Sequence, residues 1–414
     1  MKILHLNGAD IEGGAARAGE RLLKGIRAEG LDARLIVQRK FGNDPLVDGP
    51  VSVLGKALNR LRPTLEQLLC GLTPGMMQSP FCAALLPDGL STRVAAMAPS
   101  IIHLHWVARM IRLETLARFS IPLVWTLHDS WPFTGGCYLP GDCSRYRESC
   151  GGCPALGSSR EKDLSRRIWQ RKRRAWERLN LTIVAPSRWM ADSARSSSLF
   201  RDKRIEVIPN GIDTELFGPC DKRSARDGFS LPQDKKLILF GAKSATRDRN
   251  KGFHLLEEAL KKLAATTNKD GLELVVFGSA EQEKLAELGF STHCLGWQDD
   301  EISLAQLYSA ADLFVMPSIQ ESLGYTVMEA MACGTPCVAF NQGGVPDLID
   351  HGLNGYLAHP YEPADLAHGI AWILEDEEHR NLLSRNARRK IERINDVTRI
   401  ARLHAALYEE ILAP

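Results

Sequence analysis

The sequence lacks any long apolar run. The apolar residues near its start, Ile3, Leu4 and Leu6, are too few for a signal peptide, and no stretch approaches the roughly 18 apolar residues of a membrane span. Internal repeats of solenoid length and low-complexity segments are also missing. We therefore expect a cytoplasmic protein without a secretion signal. Its 414 residues, 44% of them hydrophobic, exceed one core of common size and predict two domains.

The chain also has little net charge, but its two halves differ. Residues 1–208 hold 31 Lys and Arg against 19 Asp and Glu, a net +12, whereas residues 209–414 hold 21 against 31, a net −10. A basic half can dock on an anionic membrane or on nucleic acid, or the two lobes can attract each other across a cleft. Charge alone does not choose among these.

Short apolar runs alternate with helix-length segments in both halves of the chain. Continuous apolar strands in such an alternation indicate parallel sheets covered on both faces, so we predict an α/β fold. Pro209 and the turn at Asn210-Gly211 favour a domain boundary between residues 208 and 209. The predicted strands are residues 2–7, 33–38, 101–106, 122–128 and 181–186, followed by 236–241, 272–278, 312–316 and 336–340.

The most informative segment, residues 317–336, runs from a strand end through a turn into a helix. Gly324 lets the backbone approach a ligand closely. The main-chain amides of Ser322, Leu323 and the residues up to Thr326 lie at the helix start and would point at a diphosphate. The positive end of the helix dipole would also favour its charge. The segment therefore predicts an anion site.

Two carboxylates in this segment need separate roles. Glu321 and Glu329 are eight residues apart, about 12 Å of helical rise, and cannot form the roughly 5 Å carboxylate pair of a retaining glycosidase. Glu321, in the turn, would meet sugar hydroxyls, and Glu329, inside the helix, would accept hydrogen bonds from ribose hydroxyls. For Glu329 the alternative is an ordinary residue on the helix surface.

At these residues the sequence resembles a known family. The segment with Glu321 and Glu329 resembles the signature of glycosyltransferase family 4, retaining enzymes of GT-B fold. Residues 207–213, 295–296, 307–318 and 343–349 also resemble the family's landmarks. The resemblance implies two Rossmann-like, doubly wound domains facing each other across a cleft. The acceptor-side domain would span 1–208 and the nucleotide-sugar-binding domain 209–414, with the last helix able to pack back on the first domain.

The resemblance also implies roles for the site residues. Glu321 would orient the donor sugar, Glu329 would hold the ribose, and Lys251 would neutralise charge on the departing nucleotide diphosphate. Family members are thought to let the leaving diphosphate help deprotonate the acceptor on the same face, without a protein nucleophile. No Asp-x-Asp metal signature occurs. We thus expect a nucleotide diphosphate sugar as donor and no cofactor required for catalysis.

One landmark of the family is altered. The arginine that family members carry directly after a glycine is replaced by Ala242. Lys243 or Arg247 would then substitute as the second cation for the diphosphate. For each of these cations, a solvated surface charge is the alternative.

The first half contains a second set of candidates. Gly13 and Gly14 follow the first strand and open a helix, and the resemblance implies that this loop faces the donor phosphates and the acceptor. The alternative is a tight turn into a packed helix. His128 ends a predicted strand where family members place a histidine beside the reacting sugar, so we expect it to be catalytic. His105 ends another strand and has a satisfied core histidine as its alternative.

Ten cysteines in a chain without a signal peptide are expected to stay mostly reduced. Cys137, Cys143, Cys150 and Cys153 differ from the others because they fall within seventeen positions. Four thiols can bind one zinc ion, so a structural zinc is predicted, with free thiols or disulfides as alternatives. Residues 126–137 resemble those of polysaccharide-building members such as colanic acid transferases, which implies an exopolysaccharide or lipid-linked acceptor.

Residues 161–179 predict a helix with one apolar face and a strongly basic remainder that includes residues 171–174. Such a helix can lie on anionic lipid and bring the enzyme to a polyprenyl-linked acceptor. The alternative places Trp176 in the core and the arginines in solvent. The expected partners are a nucleotide sugar, a glycan or polyprenyl-linked acceptor and an anionic membrane surface, but no nucleic acid. The predicted apolar face consists of Leu164, Ile168, Ala175, Trp176 and Leu179.

Other functions fit parts of the pattern. A sugar nucleotide epimerase of GT-B fold changes the sugar without an acceptor, and a phosphorylase needs a far longer chain and a pyridoxal lysine. A non-catalytic subunit of a polysaccharide assembly complex would use the basic face and the cysteine loop, but the presence of Lys251, Glu321 and Glu329 argues against it. The sequence therefore favours glycosyl transfer in polysaccharide biosynthesis.

Overall fold

The computed structural model describes residues 1–50, 52–69, 80–244, 246–267, 269–279, 281–298 and 300–413. They divide into two compact units, the first comprising Met1–Gly211 together with Val397–Pro414 and the second Ile212–Asp396. The division falls after Gly211, whereas the sequence predicts it after residue 208. No helix in the described ranges is both long and apolar enough to cross a membrane.

Each unit is a parallel sheet with helices. The strands are β1 (Lys2–Ala9), β2 (Asp32–Arg39), β3 (Val47–Asp48), β4 (Ile101–Leu104), β5 (Leu123–Thr126), β6 (Leu181–Ala185), β7 (Arg204–Val207), β8 (Lys236–Ser244), β9 (Leu272–Ser279), β10 (Ser291–Gly296), β11 (Leu313–Met316), β12 (Cys337–Phe340) and β13 (Gly355–Ala358). The helices are α1 (Gly14–Ala28), α2 (Val53–Leu69), α3 (Leu90–Met97), α4 (Leu113–Leu116), α5 (Leu164–Trp176), α6 (Arg188–Ser196), α7 (Lys222–Gly228), α8 (Phe253–Thr266), α9 (Gln282–Ala286), α10 (Glu301–Ala310), α11 (Tyr325–Ala332), α12 (Pro363–Glu375), α13 (Glu377–Ile394) and α14 (Val397–Leu412).

The strand orders are those of doubly wound sheets. The first unit has the order β3-β2-β1-β4-β5-β6-β7, and the second has β10-β9-β8-β11-β12-β13. In each sheet the first strand is central, and the chain winds first to one side of it and then to the other. The pairings between these strands are parallel. This arrangement confirms the predicted class of two Rossmann-like units.

All nine predicted strands are present with small differences in their ends. The four strands without a sequence prediction, β3, β7, β10 and β13, are the edge strands of the two sheets. β7 and β10 have no fully buried residue, so they lack the continuous apolar run by which interior strands are recognised. The predicted strands 101–106 and 122–128 stop earlier, at Leu104 and Thr126, so His105 and His128 lie just beyond β4 and β5.

The last helix belongs to the core of the first unit. α14 packs on α1, where a Cβ on Gly25 would lie 3.0 Å from Ala401 Cβ, so glycine allows the close approach. The buried side chains of α14 include His404 and Tyr408, which face the sheet. The unit is therefore built from both ends of its chain.

The predicted basic helix is α5, and its apolar face is buried at Ile168, Ala175 and Trp176. The prediction that residues 171–174 together present a basic surface is wrong for Lys172, which is fully buried. Its ammonium donates to the carbonyl oxygens of Trp131 and Thr134 and lies 3.8 Å from the centre of the Trp131 ring. Burial lowers the pKa of Lys172 to about 7.

Candidate functional site

The candidate residues of the second unit lie in loops at the carboxyl ends of its strands. β8 and β11 are neighbours and run parallel, so the loops that follow them leave the sheet at the same end. The strand order reverses between these two strands, which is where open α/β sheets bind their ligands. Lys251 lies in the loop after β8, and Glu321 lies in the loop after β11.

Hydrogen bonds to main-chain groups join these two loops. The Asn250 side chain donates to Gln320 O at 2.9 Å, and Asn250 O accepts from Ile319 N at 2.8 Å. The segment Arg249–Lys251 is a short 3-10 helix that begins at Asp248, whose carboxylate accepts from Asn250 N at 3.0 Å. The position of Lys251 is thus fixed by backbone groups on both sides.

Gly252 makes this close approach possible. Its φ is +70°, and a Cβ there would lie 1.8 Å from Pro317 O. No other residue avoids that overlap without moving the backbone of one loop. The glycine therefore determines how near Lys251 comes to the loop after β11.

Lys251 and Glu321 form an ion pair with 2.7 Å between Nζ and Oε1. The side chains are 30% and 19% exposed, so a ligand can still reach them. The carboxylate of Glu321 raises the pKa of Lys251, and the ammonium stays protonated at neutral pH. Glu321 O also accepts from Gly344 N at 3.0 Å, which fixes its backbone.

The turn into α11 has the geometry predicted for an anion site. Gly324 precedes the helix with φ +102°, and the first bond of the helical ladder runs from Met328 N to Gly324 O at 3.1 Å. The amides before Met328 lie outside that ladder and near the positive end of the helix dipole. Ser322 is partly exposed, whereas the Leu323 side chain is buried, so Leu323 can offer a ligand only its main chain.

Glu329 lies inside α11 and is 4% exposed. The alternative of an ordinary residue on the helix surface is therefore wrong. Its Oε2 accepts a hydrogen bond from the buried hydroxyl of Tyr308 at 3.0 Å. Burying a carboxylate costs free energy, and the hydrogen bond from Tyr308 offsets only part of that cost. A carboxylate kept in such a position is a candidate for ligand binding, and the predicted ligand group is the ribose.

The candidates for the second cation differ in position. Arg247 is 74% exposed and forms its ion pair with Glu281, at 2.9 Å. Lys243 lies in β8, but its side chain is outside the part of the structure that is described. The structure therefore brings Lys251, and not Arg247, into the ion pair at the sheet edge.

In the first unit, Gly13 and Gly14 lie where β1 leads into α1. Gly13 has φ +98°, and a Cβ on either glycine would meet no atom within 4 Å. Packing against neighbours therefore does not explain why glycine stands there. Open space beside the start of α1 fits the predicted approach of a ligand.

His128 belongs to a chain of three hydrogen-bonded imidazoles. His128 Nε2 lies 3.1 Å from His105 Nδ1, and His105 Nε2 lies 2.9 Å from His5 Nδ1. Burial lowers the pKa of His128 to about 4 and that of His5 to about 3. At neutral pH these rings are uncharged. Each hydrogen bond between two rings needs one N–H and one unprotonated nitrogen, so the tautomer of one ring sets the tautomer of the next.

A second histidine pair supports this chain. His103 Nε2 lies 2.7 Å from Thr126 Oγ1, and His103 Nδ1 lies 2.5 Å from the Tyr408 hydroxyl. The His404 ring stacks on His103 with 5.5 Å between centroids. His103, His105 and His404 are buried, and their pKa values are lowered by that burial.

Asp129, directly after His128, is a polar group with a defined orientation. Its Oδ2 accepts from Trp106 Nε1 at 2.7 Å, and its Oδ1 accepts from Trp131 N at 2.8 Å. Burial raises the pKa of Asp129 to about 6. Trp106 stacks on Tyr138, with 5.7 Å between ring centroids, and is partly exposed. The first unit thus presents an imidazole, a carboxyl and an aromatic ring at one sheet edge.

Two family models match the chain. The model described as Glycosyl transferases group 1 matches residues 221–390, and that of Glycosyltransferase Family 4 matches residues 12–216. Each model takes in most of one structural unit. The chain belongs to the family 4 glycosyltransferases.

Curated relatives carry similar names. D-inositol 3-phosphate glycosyltransferase 2 of Catenulispora acidiphila is 34% identical over 43% of this chain and 44% of its own. D-inositol 3-phosphate glycosyltransferase of Xylanimonas cellulosilytica is 28% identical over 70% of this chain and 66% of its own. The chain thus spans less than two thirds of the length of both relatives.

Solved structures share the fold. Sucrose-phosphate synthase from Thermosynechococcus elongatus has a TM-score of 0.71 and 19% identity, covering 99% of both chains. Anabaena HepE, solved in complex with UDP and glucose, has a TM-score of 0.66 and 21% identity, covering 98% of this chain and 99% of its own. These likenesses confirm the GT-B class for this family 4 chain.

The sequence did not single out several residues that the structure places beside the candidate residues of each unit. Asn250 and Gly252 hold Lys251 in place, and Trp106 holds Asp129. His5 supports His105, which supports His128. One signal was available for His5: it lies two residues from Asn7 in β1, so the two side chains share a sheet face.

Proposed function

We propose that this family 4 glycosyltransferase moves a sugar from a nucleotide diphosphate sugar to a hydroxyl acceptor, with retention of configuration at the anomeric carbon. The observation that carries the proposal is the 2.7 Å ion pair of Lys251 and Glu321, beside the glycine turn that opens α11. A cation, a carboxylate and helix-start amides are what a diphosphate joined to a sugar requires.

On the donor side, each group has one proposed role. The amides of Ser322, Leu323 and Gly324 and the ammonium of Lys251 bind the diphosphate, with Lys243 or Arg247 as the second cation. When the bond to the sugar breaks, negative charge grows on the diphosphate, and the fixed cation stabilises it without reorganisation. Glu321 holds sugar hydroxyls, and the buried carboxylate of Glu329 accepts hydrogen bonds from the ribose.

In the first unit, His128 and Asp129 are proposed to bind the reacting hydroxyl groups, and the Gly13-Gly14 loop to approach phosphate or acceptor. His128 is uncharged at neutral pH because its pKa is about 4, so it can donate or accept a hydrogen bond without carrying charge. The partly exposed ring of Trp106, bonded to Asp129, adds an apolar face of the kind that covers one side of a sugar ring.

The acceptor proposed here is a glycan or a polyprenyl-linked sugar of polysaccharide biosynthesis, and the reaction is placed at the cytoplasmic face of a membrane. Arg173 and Arg174 of α5 are exposed, as is Arg167 on the same helix, and they supply the proposed contact with anionic lipid. Lys172 is buried and Arg171 pairs with Glu114 at 2.8 Å, so they contribute less. The relatives' names make inositol 3-phosphate a necessary comparison acceptor.

The test is turnover of a panel of nucleotide sugars by purified protein, with and without glycan, polyprenyl-linked and inositol 3-phosphate acceptors. The proposal expects nucleotide release that depends on the acceptor, and a product whose anomeric configuration, read by NMR, equals that of the donor. Conversion of the sugar without an acceptor would indicate an epimerase. Binding of donors with no turnover under any condition would indicate a non-catalytic subunit.

A further inference from the structure

The four cysteines of the loop that follows β5 face one pocket. Cys137, Cys143, Cys150 and Cys153 all line it, together with Arg145, Tyr146 and Ser165. Cys137 and Cys153 are buried, Cys143 and Cys150 are partly so, and all four are free thiols. The four sulfur-bearing side chains of this loop therefore line one pocket, whereas the side chains of a surface loop ordinarily point to solvent.

The turn between the last two cysteines requires a rare backbone. Cys150, Gly151 and Gly152 have φ values of +52°, +102° and +53° in succession. A Cβ on Gly151 would lie 2.3 Å from Glu161 O. Such a run costs free energy, and it returns the chain so that Cys150 and Cys153 enter the same pocket.

A hydrogen-bond donor is directed at one of the sulfurs. Gly135 N lies 3.1 Å from Cys150 Sγ. Leu156 N donates to the Cys153 carbonyl oxygen at 3.1 Å, which fixes the backbone that carries that sulfur. N–H groups directed at sulfur stabilise a thiolate more than a thiol, and they are the supporting shell that metal-bound thiolates require.

One cation lines the same pocket. Arg145 donates to Gly151 O at 3.2 Å and pairs with Glu161 at 2.6 Å. Zinc with four thiolates carries a net charge of about −2, and the Arg145 guanidinium offsets part of it.

We propose that Cys137, Cys143, Cys150 and Cys153 bind one zinc ion as tetrahedral thiolates. On binding, each thiol releases its proton to solvent and its sulfur forms one bond to zinc, without change of oxidation state. Zinc–sulfur bonds of about 2.3 Å would hold the sulfurs about 3.8 Å apart. The structure does not bring three or more of these sulfurs within 4.8 Å of one another, so zinc binding would require them to move closer together.

Another cluster in the described residues has metal-ligand geometry, but most of its nitrogens already have hydrogen-bond partners, the exception being His5 Nε2. His5, His103 and His105 present ligand atoms within 4.8 Å of one another. Both nitrogens of His103 are bonded to Tyr408 and Thr126, and both nitrogens of His105 are bonded to other histidines. The cysteine pocket is therefore the zinc site we infer.

The zinc would order the loop that carries Asp129. Tyr138, next to Cys137, accepts at its carbonyl from Ser130 N at 3.0 Å, and Ser130 follows Asp129. Gly135 N bonds Cys150, which ties the other side of the loop to the same pocket. Loss of zinc would loosen the candidate acceptor groups while leaving the second unit's nucleotide groups unchanged.

The experiment measures metal and not activity, so its outcome is independent of the proposed reaction. Tag-free protein purified without added metal is analysed for zinc and compared with Cys143→Ser, in which a partly exposed thiol is changed. Cys294→Ser, at an exposed cysteine of β10, is the matched control. Wild type and control should contain about one zinc per chain, and Cys143→Ser should lose most of it.

Cobalt substitution gives a second readout that does not depend on any variant. Wild-type protein stripped with chelator and reloaded with Co²⁺ should show the visible absorption of a tetrahedral cobalt–thiolate centre, and Zn²⁺ should abolish it. Metal-free wild type with four alkylatable thiols would overturn the proposal. So would disulfides between these cysteines, detected by mass spectrometry without reduction, or zinc that survives in Cys143→Ser.

Discussion

Lys251 Nζ lies 2.7 Å from Glu321 Oε1, although 70 positions separate the two residues along the chain. The contact exists because β8 and β11 are neighbours in the sheet and because Gly252 lets the two loops touch. Glu321 raises the pKa of Lys251, so the side chain is a cation at neutral pH. The pair connects the doubly wound fold to the proposed chemistry.

Replacing Gly252 tests whether the close approach of the two loops is needed. Gly252→Ala places a Cβ 1.8 Å from Pro317 O at φ +70°, whereas Gly289→Ala has nearly the same φ, +72°, in open space. We expect Gly289→Ala to cost about 1 kcal/mol of stability and Gly252→Ala at least twice that. Urea denaturation measures both, and equal costs would mean that the overlap relaxes freely.

Substitutions of Glu329 and Tyr308 test nucleotide binding and protein stability separately. Glu329→Gln keeps an oxygen for the Tyr308 hydroxyl but removes the charge, so we expect roughly tenfold weaker nucleotide binding. Tyr308→Phe removes the hydroxyl and should cost about 1 kcal/mol of stability with less effect on binding. Calorimetric titration with nucleoside diphosphates and thermal denaturation distinguish the two. Unchanged binding in Glu329→Gln would remove its assignment to the ribose.

The buried histidines predict that the first unit is sensitive to acid. The folded-state pKa is about 3 for His5 and about 4 for His128 and His404, against 6.5 when exposed. Below pH 6.5 the unfolded chain binds more protons, so the stability present at neutral pH is lost as the pH falls toward 4. Each group contributes at most about 1.4 kcal/mol per pH unit.

His404→Leu offers the control for this acid effect. It removes one titrating ring and leaves the hydrogen bonds between His5, His105 and His128 in place. We expect its free energy of unfolding, measured from pH 7 to pH 5, to fall less steeply than that of wild type. An identical slope would show that His404 is protonated equally in both states.

The exposed arginines of α5 predict binding to anionic vesicles at low salt. Arg173→Glu with Arg174→Glu should reduce sedimentation with such vesicles, and raised salt should weaken the wild-type interaction. Arg34→Glu with Arg118→Glu changes the net charge equally at exposed positions outside α5 and serves as the control. Equal losses in both doubles would mean a nonspecific charge effect, and wild type that ignores the vesicles would leave the arginines as solvated residues.

The interior strands and the turn into α11 were predictable because they depend on local patterns. Buried parallel strands are continuous apolar runs, and the helix start after Glu321 carries its glycine at the position where the backbone must turn. The edge strands, such as β7, are partly solvated and carry mixed residues, so no such run marks them. Their pairing depends on the rest of the sheet.

Contacts between distant segments account for what the sequence did not predict. Lys172 lies in a strongly basic stretch, which predicts an exposed side chain. Only the folded structure brings the carbonyl oxygens of Trp131 and Thr134 to its ammonium. His5 and His105 are 100 positions apart and meet because β1 pairs with β4. Periodicity assigns a residue to a sheet face but does not identify its partners.

The proposed reaction is tested most directly by the turnover of Lys251→Met. The variant keeps the length of the side chain and removes the charge that would stabilise the departing diphosphate. With the donor identified, we expect kcat to fall by about 100-fold or more, and Lys262→Met, which removes an exposed cation paired with Glu258 on α8, to change it by less than about threefold. Lys251→Met with wild-type kcat would contradict the account.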